Sequence, residues 1–494
     1  MESRLDILRG IELFYAYSNR LPSLRSVNGG VEMRLFKALT LTACAAISLA
    51  IPAAAQRNVE PGQPAHPAAR TALPAIIHAG HLIVEPGKPV MANATLVTVD
   101  GKVRSIEEGF RSAAELGLPP DAQLIDLSSK WVLPGFMDLH VHVTGSGIAE
   151  HYPGLRLREE DAFFALNGYT NALATLMAGF TTIRDLGAPN AAIFSLRDAI
   201  DYGVVPGPHI IAAGEGISPT NGHGDSHGMK RAFLDAEPHD NVCDGADDCR
   251  RATRAAIKYG ADVIKVHVTG GVLDPSDAGT EQQFTDEELT AIADAAHSMG
   301  RKVTTHAHGK GGIDAAVRAG YDSIEHGMWA DEESLQLMKQ RGTYLIPTVW
   351  PITWVGDTPE KVLRGPMKDI NPASLNKLLK LGDQPKKLVR MAIEIGTPIA
   401  LGTDSGIAPH GTNAQEMVEY VEAGMTPVEA LKTATVNAAD AAGLKDRGTL
   451  APGMVADVIA LDGDPTADIN AVSSVSFVMR DGIVFKRDGA EVKE

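Results

Sequence analysis

The sequence predicts an α/β protein: a (β/α)8 TIM barrel joined to a small β-sandwich domain built from both ends of the chain. Three observations carry that prediction. Strand-like and helix-like segments alternate through the middle of the chain, with eight strand candidates over roughly 300 residues. The two ends share a texture of short strands and Asp-Gly turns that the middle lacks. No GxGxxG turn follows an early strand, which disfavours a doubly wound open sheet.

At 494 residues and 44% hydrophobic content, the chain can bury more than one core. Its formal charge of −17 argues against nucleic acid or an anionic membrane as partner, because both demand basic surface. Residues 1–32 match no signal and are expected to be an upstream extension, with Met33 the candidate start. Residues 33–55 then read as a secretory signal peptide: Arg34 and Lys37, an apolar stretch, and Ala53-Ala54-Ala55 before Gln56. The apolar run is too short for a membrane anchor, and it continues past Cys44, unlike a lipoprotein signal. Residues 56–71, rich in Pro, Ala and Gln, predict a linker. The expected location is therefore secreted or periplasmic, with no membrane contact after signal removal. Export leaves Cys243 and Cys249 in "CDGADDC", where a local disulfide is favoured over zinc because no histidine stands at finger-like spacing.

Residues 72–134 and 447–494 predict the composite β-domain. "ATLVTVDGKVRSIEEG" forms a hairpin at Asp100-Gly101, and "VSFVMRDGIVFKRDG" forms another at Asp481-Gly482. Residues 135–446 predict the barrel. Its strands are "VLPGFMDLHVH", "FTTIRDLG", "HIIAAGEG", "ADVIKVHVTGG", "KVTTHAHG", "DSIEHG", "TYLIPTV" and "PIALGTDSG". Amphipathic stretches such as "DDCRRATRAAIKYG" and "TDEELTAIADAAHSMG" lie between most of them.

The unusual residues collect at the C-terminal ends of these strands, where barrel enzymes build their sites. They are His140 and His142, Lys265, His306 and His308, His326, and Asp404. A single strand-end histidine is usually structural. A His-x-His pair pointing to one side, two further strand-end histidines and a carboxylate make a donor set for a zinc-like divalent metal. Lys265 interrupts an otherwise apolar strand. It either snorkels to solvent or is kept neutral by burial and nearby cations, and a neutral amine can add carbon dioxide to become a bridging carbamate.

"DLHVH", "VIKVHVTGG", "THAHG", "EHG", "GTDSG" and the terminal "GTLAPGMVADVIALDGDP" resemble the amidohydrolase superfamily of binuclear type, in order and over residues 72–494. "GADVIKVHVTGGV", "GEGISPTNGHGD" and "HAHGKGGIDAAVRAGYDSIEHG" are most similar to its Xaa-Pro dipeptidase (prolidase-like) and ochratoxinase group. The resemblance implies two divalent ions, by default Zn2+. His140 and His142 would hold one ion and His306 and His326 the other, with carbamylated Lys265 bridging. Asp404 would bind metal and handle protons, and His308 would sit near the substrate. His223, Leu273 and Ser405 are candidate substrate contacts. His227 stands as a weaker one, while Arg184-Asp185 suits a structural ion pair.

The implied activity is exported, metal-dependent hydrolysis by a metal-bridged hydroxide. The bond cleaved is the amide between an acyl or aminoacyl group and a C-terminal amino acid, as in dipeptides, N-acyl amino acids and ochratoxin-like amides. This would be a dipeptidase or carboxypeptidase chemistry on a small-molecule or peptide substrate, in a homo-oligomer. The alternative keeps the site but takes a cyclic amide of imidazolone or hydantoin type, a lactone or an organophosphate. A non-catalytic scaffold is disfavoured because Asp404 stands alongside every expected ligand.

Overall fold

The computed structural model describes residues 71–145, 158–226, 230–234, 236, 240–274 and 279–492. The expected extension, the signal peptide, all of the linker but its last residue, and His227 lie outside them. Among the described residues, no helix is long and apolar enough to cross a membrane.

The N-terminal part supplies β1 (Ala75–Leu82), β2 (Met91–Val99), β3 (Lys102–Glu108) and β4 (Gln123–Pro134). The middle supplies β5 (Phe136–Val141), β6 (Phe180–Asp185), β7 (His209–Ala212), β8 (Val263–His267), β9 (Lys302–Ala307), β10 (Ser323–His326) and β11 (Tyr344–Ile346). The C-terminal part adds β12 (Val458–Leu461), β13 (Val475–Arg480), β14 (Ile483–Arg487) and β15 (Ala490–Glu491).

Both ends of the chain build one eight-stranded sheet, ordered β15-β14-β13-β12-β4-β1-β2-β3. The two hairpins that the sequence predicts turn where expected. Asp100 and Gly101 have φ of 50° and 73°, and Asp481 and Gly482 have φ of 52° and 74°, so both central residues are left-handed. That conformation matches the right-handed twist of the flanking strands, and Asp-Gly adopts it at low cost. Ile77, Leu96, Val132, Val458 and Phe477 pack together in a buried cluster of this sheet.

The middle strands are all parallel, in a three-stranded sheet β5-β6-β7 and a four-stranded sheet β11-β10-β9-β8. Single bridges link them further. Ile217, beyond β7, pairs with Val266 of β8, while Ile399 pairs with Leu345 of β11 and Ser405 with Val141 of β5. The expected eighth strand, "PIALGTDSG", is thus an extended segment held by isolated bridges. It cannot continue as a regular strand because Asp404 leaves the extended region, with φ 52°.

Helices cover these sheets and bury their apolar faces against Ile183, Ile264, Val303 and Ile324. The helix Asp286–Ser298 starts on a full capping box, Thr285 with Glu288, as "TDEE" predicts. Cys243 and Cys249 form the expected disulfide, six residues apart and just ahead of and within the helix Ala246–Tyr259.

Candidate metal centre

Strand ends deliver the expected residues to one cavity of about 490 Å3. His140, His142, Lys265, His306, His308, His326 and Asp404 all line it. The tightest group is His140, His326 and Asp404, whose donor atoms lie within 4.8 Å of one another. Asp404 Oδ1 is 3.2 Å from His142 Nε2 and 3.5 Å from His140 Nε2.

The orientation of three imidazoles is set from behind. His142 Nδ1 donates to the Gly187 carbonyl at 2.9 Å. His140 Nδ1 lies 2.9 Å from Glu325 Oε2. His326 Nδ1 lies 2.8 Å from Thr348 Oγ1, whose own proton goes to the Pro347 carbonyl, so the hydroxyl accepts. With Nδ1 of His142 and of His326 hydrogen-bonded and Nδ1 of His140 facing a carboxylate, each Nε2 keeps its lone pair for a ligand, the usual arrangement of metal-binding histidines. His306 Nε2 is buried and has no hydrogen-bond partner among the described residues. Its ring packs against those of His326 and His308, both at 4.6 Å between centroids. These residues fit divalent ions: their imidazoles are neutral, their free nitrogens carry lone pairs, and a carboxylate stands among them.

The electrostatics agree. Burial, then the nearby Lys265, lowers the His140 pKa to about 4, and burial holds His306 and His326 well below the usual histidine range. Burial also lowers Lys265 to about 8, against the pull of Glu325 and Asp404. For Asp404 burial acts upward, but His140 and His142 outweigh it and keep the carboxyl ionised. His308 is lowered to about 3, chiefly by burial, so it is a neutral group at the cavity wall.

Local backbone strain accompanies the site. His326, Thr348 and Asp404 have φ of 69°, 50° and 52°. Left-handed non-glycine residues of this kind cost on the order of 1–3 kcal/mol each and persist where the surroundings hold them. Asp404 is held by its N–H, which donates to the His140 carbonyl at 2.6 Å.

Two buried carboxylates that the sequence did not single out support the donors. Glu325 Oε1 accepts from Arg184 Nη2 at 2.8 Å, from Ser323 Oγ at 2.9 Å and from Thr304 Oγ1, while Oε2 faces His140. Burial would raise its pKa, but Arg184 and His140 bring it down to about 2. Arg184, which also donates to the Leu139 carbonyl at 2.6 Å, makes its structural ion pair with Glu325, while Asp185 accepts instead from the Val143 and Gly187 N–H groups at 2.8 and 3.2 Å. Asp138 accepts from the His140 and Thr403 N–H groups, both at 3.0 Å, and from Asn413 Nδ2 at 2.7 Å, tying β5 to the segment that bears Asp404. Both carboxylates stand within two residues of a marked histidine, in "DLHVH" and "EHG". Nothing in the sequence paired them with partners more than a hundred residues away.

The substrate candidates divide. His223 lines the cavity, with Nδ1 2.5 Å from Asp274 Oδ1 and its ring stacked 4.0 Å from that of His306. Leu273 also lines it. Ser405 does not meet its expectation. It is fully buried, and its hydroxyl is taken by Thr403 at 2.6 Å and Asn413 at 3.1 Å, so it braces Asp404 instead of meeting a substrate.

The chain matches the amidohydrolase family over residues 131–484. It is 34% identical to ochratoxinase of Aspergillus niger over 453 residues, spanning 84% of this chain and 87% of that protein. The crystal structure of A. niger ochratoxinase superposes with a TM-score of 0.72 at 32% identity, over 85% of this chain and 96% of that one. A Xaa-Pro dipeptidase with methionine bound in its active site superposes with a TM-score of 0.77 at 35% identity, over 84% of this chain and 100% of that one. With its motifs in order, its donor histidines converging on one aspartate, and relatives this similar over most of its length, the chain belongs to the amidohydrolase family.

Proposed function

We propose that this amide-bond hydrolase is exported and metal-dependent, and that it cleaves the amide joining an acyl or aminoacyl group to a C-terminal amino acid. The observation that carries the reading is the convergence of His140, His142 and His326 on Asp404, each through Nε2 or its neighbourhood with Nδ1 engaged behind it. His140 and His142 would hold one divalent ion, His306 and His326 a second, with Zn2+ the default. Ions held there supply Lewis-acid polarisation of a carbonyl and acidify a water. As a carbamate, Lys265 would supply the anionic ligand shared by the two ions. Its neutral amine attacks carbon dioxide, an N–C bond forms and one proton leaves, giving a carbamate.

Asp404 carries the proton traffic. Ionised and adjacent to His140 and His142, it takes the proton of the attacking water and returns it to the leaving nitrogen as the C–N bond breaks. His308, neutral and buried at the cavity wall, would hydrogen-bond the substrate. Around this site, the two parallel sheets and the bridged segment 399–405 are read as one (β/α)8 barrel over 135–446, and 72–134 with 447–494 as its composite β-domain. The signal-like segment 33–55 supports export to the periplasm or beyond, and the assembly proposed is a homo-oligomer. The similarity to ochratoxinase and to a Xaa-Pro dipeptidase supports this substrate class over cyclic amides, lactones or organophosphates.

The test is Asp404→Asn assayed on Xaa-Pro, Xaa-Phe and N-acyl amino acids beside hydantoins and lactones, with metal content measured in parallel. Loss of a proton-transfer group predicts a rate reduced on the order of 10²–10⁴-fold. Unchanged amide hydrolysis in the variant would sink the mechanism, and faster turnover of hydantoins or lactones by the wild type would replace the substrate class.

A further inference from the structure

The cavity has two unlike walls. One is the histidine cluster; the other is aliphatic. Val272, Met328, Val355, Met367, Leu378 and Leu381 form part of a buried hydrophobic cluster separate from the core that packs around the parallel strands. All six also border the cavity. Most of this wall comes from the long connection between β11 and segment 399–405, through the helices Val349–Val355 and Pro372–Leu381. The remainder comes from the loop after β8, which carries Val272, and from Met328 just after β10.

This wall is pinned. Ser374 Oγ donates to the Leu273 and Asp274 carbonyls at 2.7 and 2.9 Å, and Lys377 Nζ to the Gly271 and Asp274 carbonyls at 2.8 and 2.9 Å. These bonds tie the helix Pro372–Leu381 to the loop at 271–274. On the other side, both oxygens of buried Glu416 accept from the Val349 and Trp350 N–H groups at 2.7 Å, satisfying two donors at the start of the helix Val349–Val355. A wall held this way is preorganised, so an apolar group gains from leaving water without first having to order its host. A charged or strongly hydrated group there would lose hydration against aliphatic carbon.

We infer that this wall is a specificity pocket for a bulky apolar group flanking the scissile amide. The preferred substrates are then N-acyl amino acids or dipeptides bearing a branched aliphatic or aromatic group, and small or charged groups are disfavoured. Met328 and Met367 add adaptable surface, which admits more than one apolar shape. The inference rests on the amide-hydrolase reading above, and the experiment separates the two.

Two series are assayed with the metal-loaded enzyme: N-acetyl amino acids from Gly through Ala and Leu to Phe, and N-acylglycines from acetyl to hexanoyl. N-acetyl-Asp and N-acetyl-Lys serve as charged comparators. In at least one series, kcat/KM rises about fourfold per added methylene. Met367→Gln, close in size but polar, then lowers kcat/KM for the largest member more than for the smallest. Leu378→Ala, which enlarges the pocket, shifts the optimum to a larger group and serves if Met367→Gln fails to fold. Two flat series with measurable cleavage, or faster cleavage of the charged comparators, overturn the inference while leaving amide hydrolysis standing. No cleavage of any amide overturns the reading beneath it, and the inference with it.

Discussion

Replacing Glu325 by glutamine tests whether the donor cluster depends on the carboxylate behind it. In the wild type, Oε1 accepts from Arg184, Ser323 and Thr304, and Oε2 faces the protonated Nδ1 of His140. Glutamine keeps one oxygen for the first three donors but must turn its NH2 toward His140. Two donors would then face each other unless His140 moves its proton to Nε2, and that tautomer has no lone pair to give a metal. Losing a partner of this kind behind a ligand typically costs 10–100-fold in metal affinity or activity. Arg184, 1% exposed, also loses its counter-charge. Breaking a buried pair by removing one partner costs about 3–5 kcal/mol, and the surviving neutral hydrogen bonds place the expected loss near the lower end of that range. The assay is a chelator competition followed by elemental analysis, with denaturant unfolding of both proteins stripped of metal. Equal metal affinity and equal stability in Glu325→Gln would refute the reasoning, because no other described acceptor stands behind His140 Nδ1.

Lys265→Met, which keeps length and apolar character, is expected to abolish binding of the second equivalent of metal. Reconstituting the wild-type apoprotein in bicarbonate-free buffer should slow recovery of activity, and added bicarbonate should restore it; recovery independent of bicarbonate would count against a carbamate. A pH effect is expected far from the site, at His209 of β7, which lies 3.3 Å from Asp481 Oδ1 and 3.7 Å from Asp457 Oδ2. Burial lowers its pKa, but Asp481 and Asp457 outweigh burial and the repulsion of Arg447 and Arg480, leaving it raised. The stabilisation is therefore complete below the unfolded value of about 6.5 and is lost as pH rises through the folded value. Unfolding midpoints measured from pH 5.5 to 9 should fall more steeply for the wild type than for His209→Gln, with the variant the less stable of the two at the acid end; parallel curves would show that His209 contributes nothing to the pH dependence.

Much of the donor set was legible because each residue offends its local pattern. Histidines at the ends of apolar strands, and a lysine inside one, contradict the burial preference of those strands, and period-2 alternation puts His140 and His142 on one side. The Asp-Gly hairpins at 100–101 and 481–482 were legible because a two-residue turn has few solutions. The regular eighth strand was not, because alternation in "PIALGTDSG" cannot reveal that Asp404 takes a left-handed φ. Ser405 misled for a related reason. Beside a strained aspartate, a serine is as well used by Thr403 and Asn413 as by a substrate, and only their positions decide which.

By itself, the sequence determined the inventory: which side chains bring basic nitrogens and carboxylates, on which strands, and in what order. Only the tertiary structure decided how those groups are aimed. Glu325, Gly187 and Thr348 select the tautomers of His140, His142 and His326 from positions 185, 45 and 22 residues away. The aliphatic wall likewise exists only once the helix Pro372–Leu381 is pinned to the loop at 271–274, about a hundred residues before it. A tautomer depends on a hydrogen bond a few ångströms long, and a pocket wall on surfaces from distant segments meeting. Neither leaves a periodic trace along the chain.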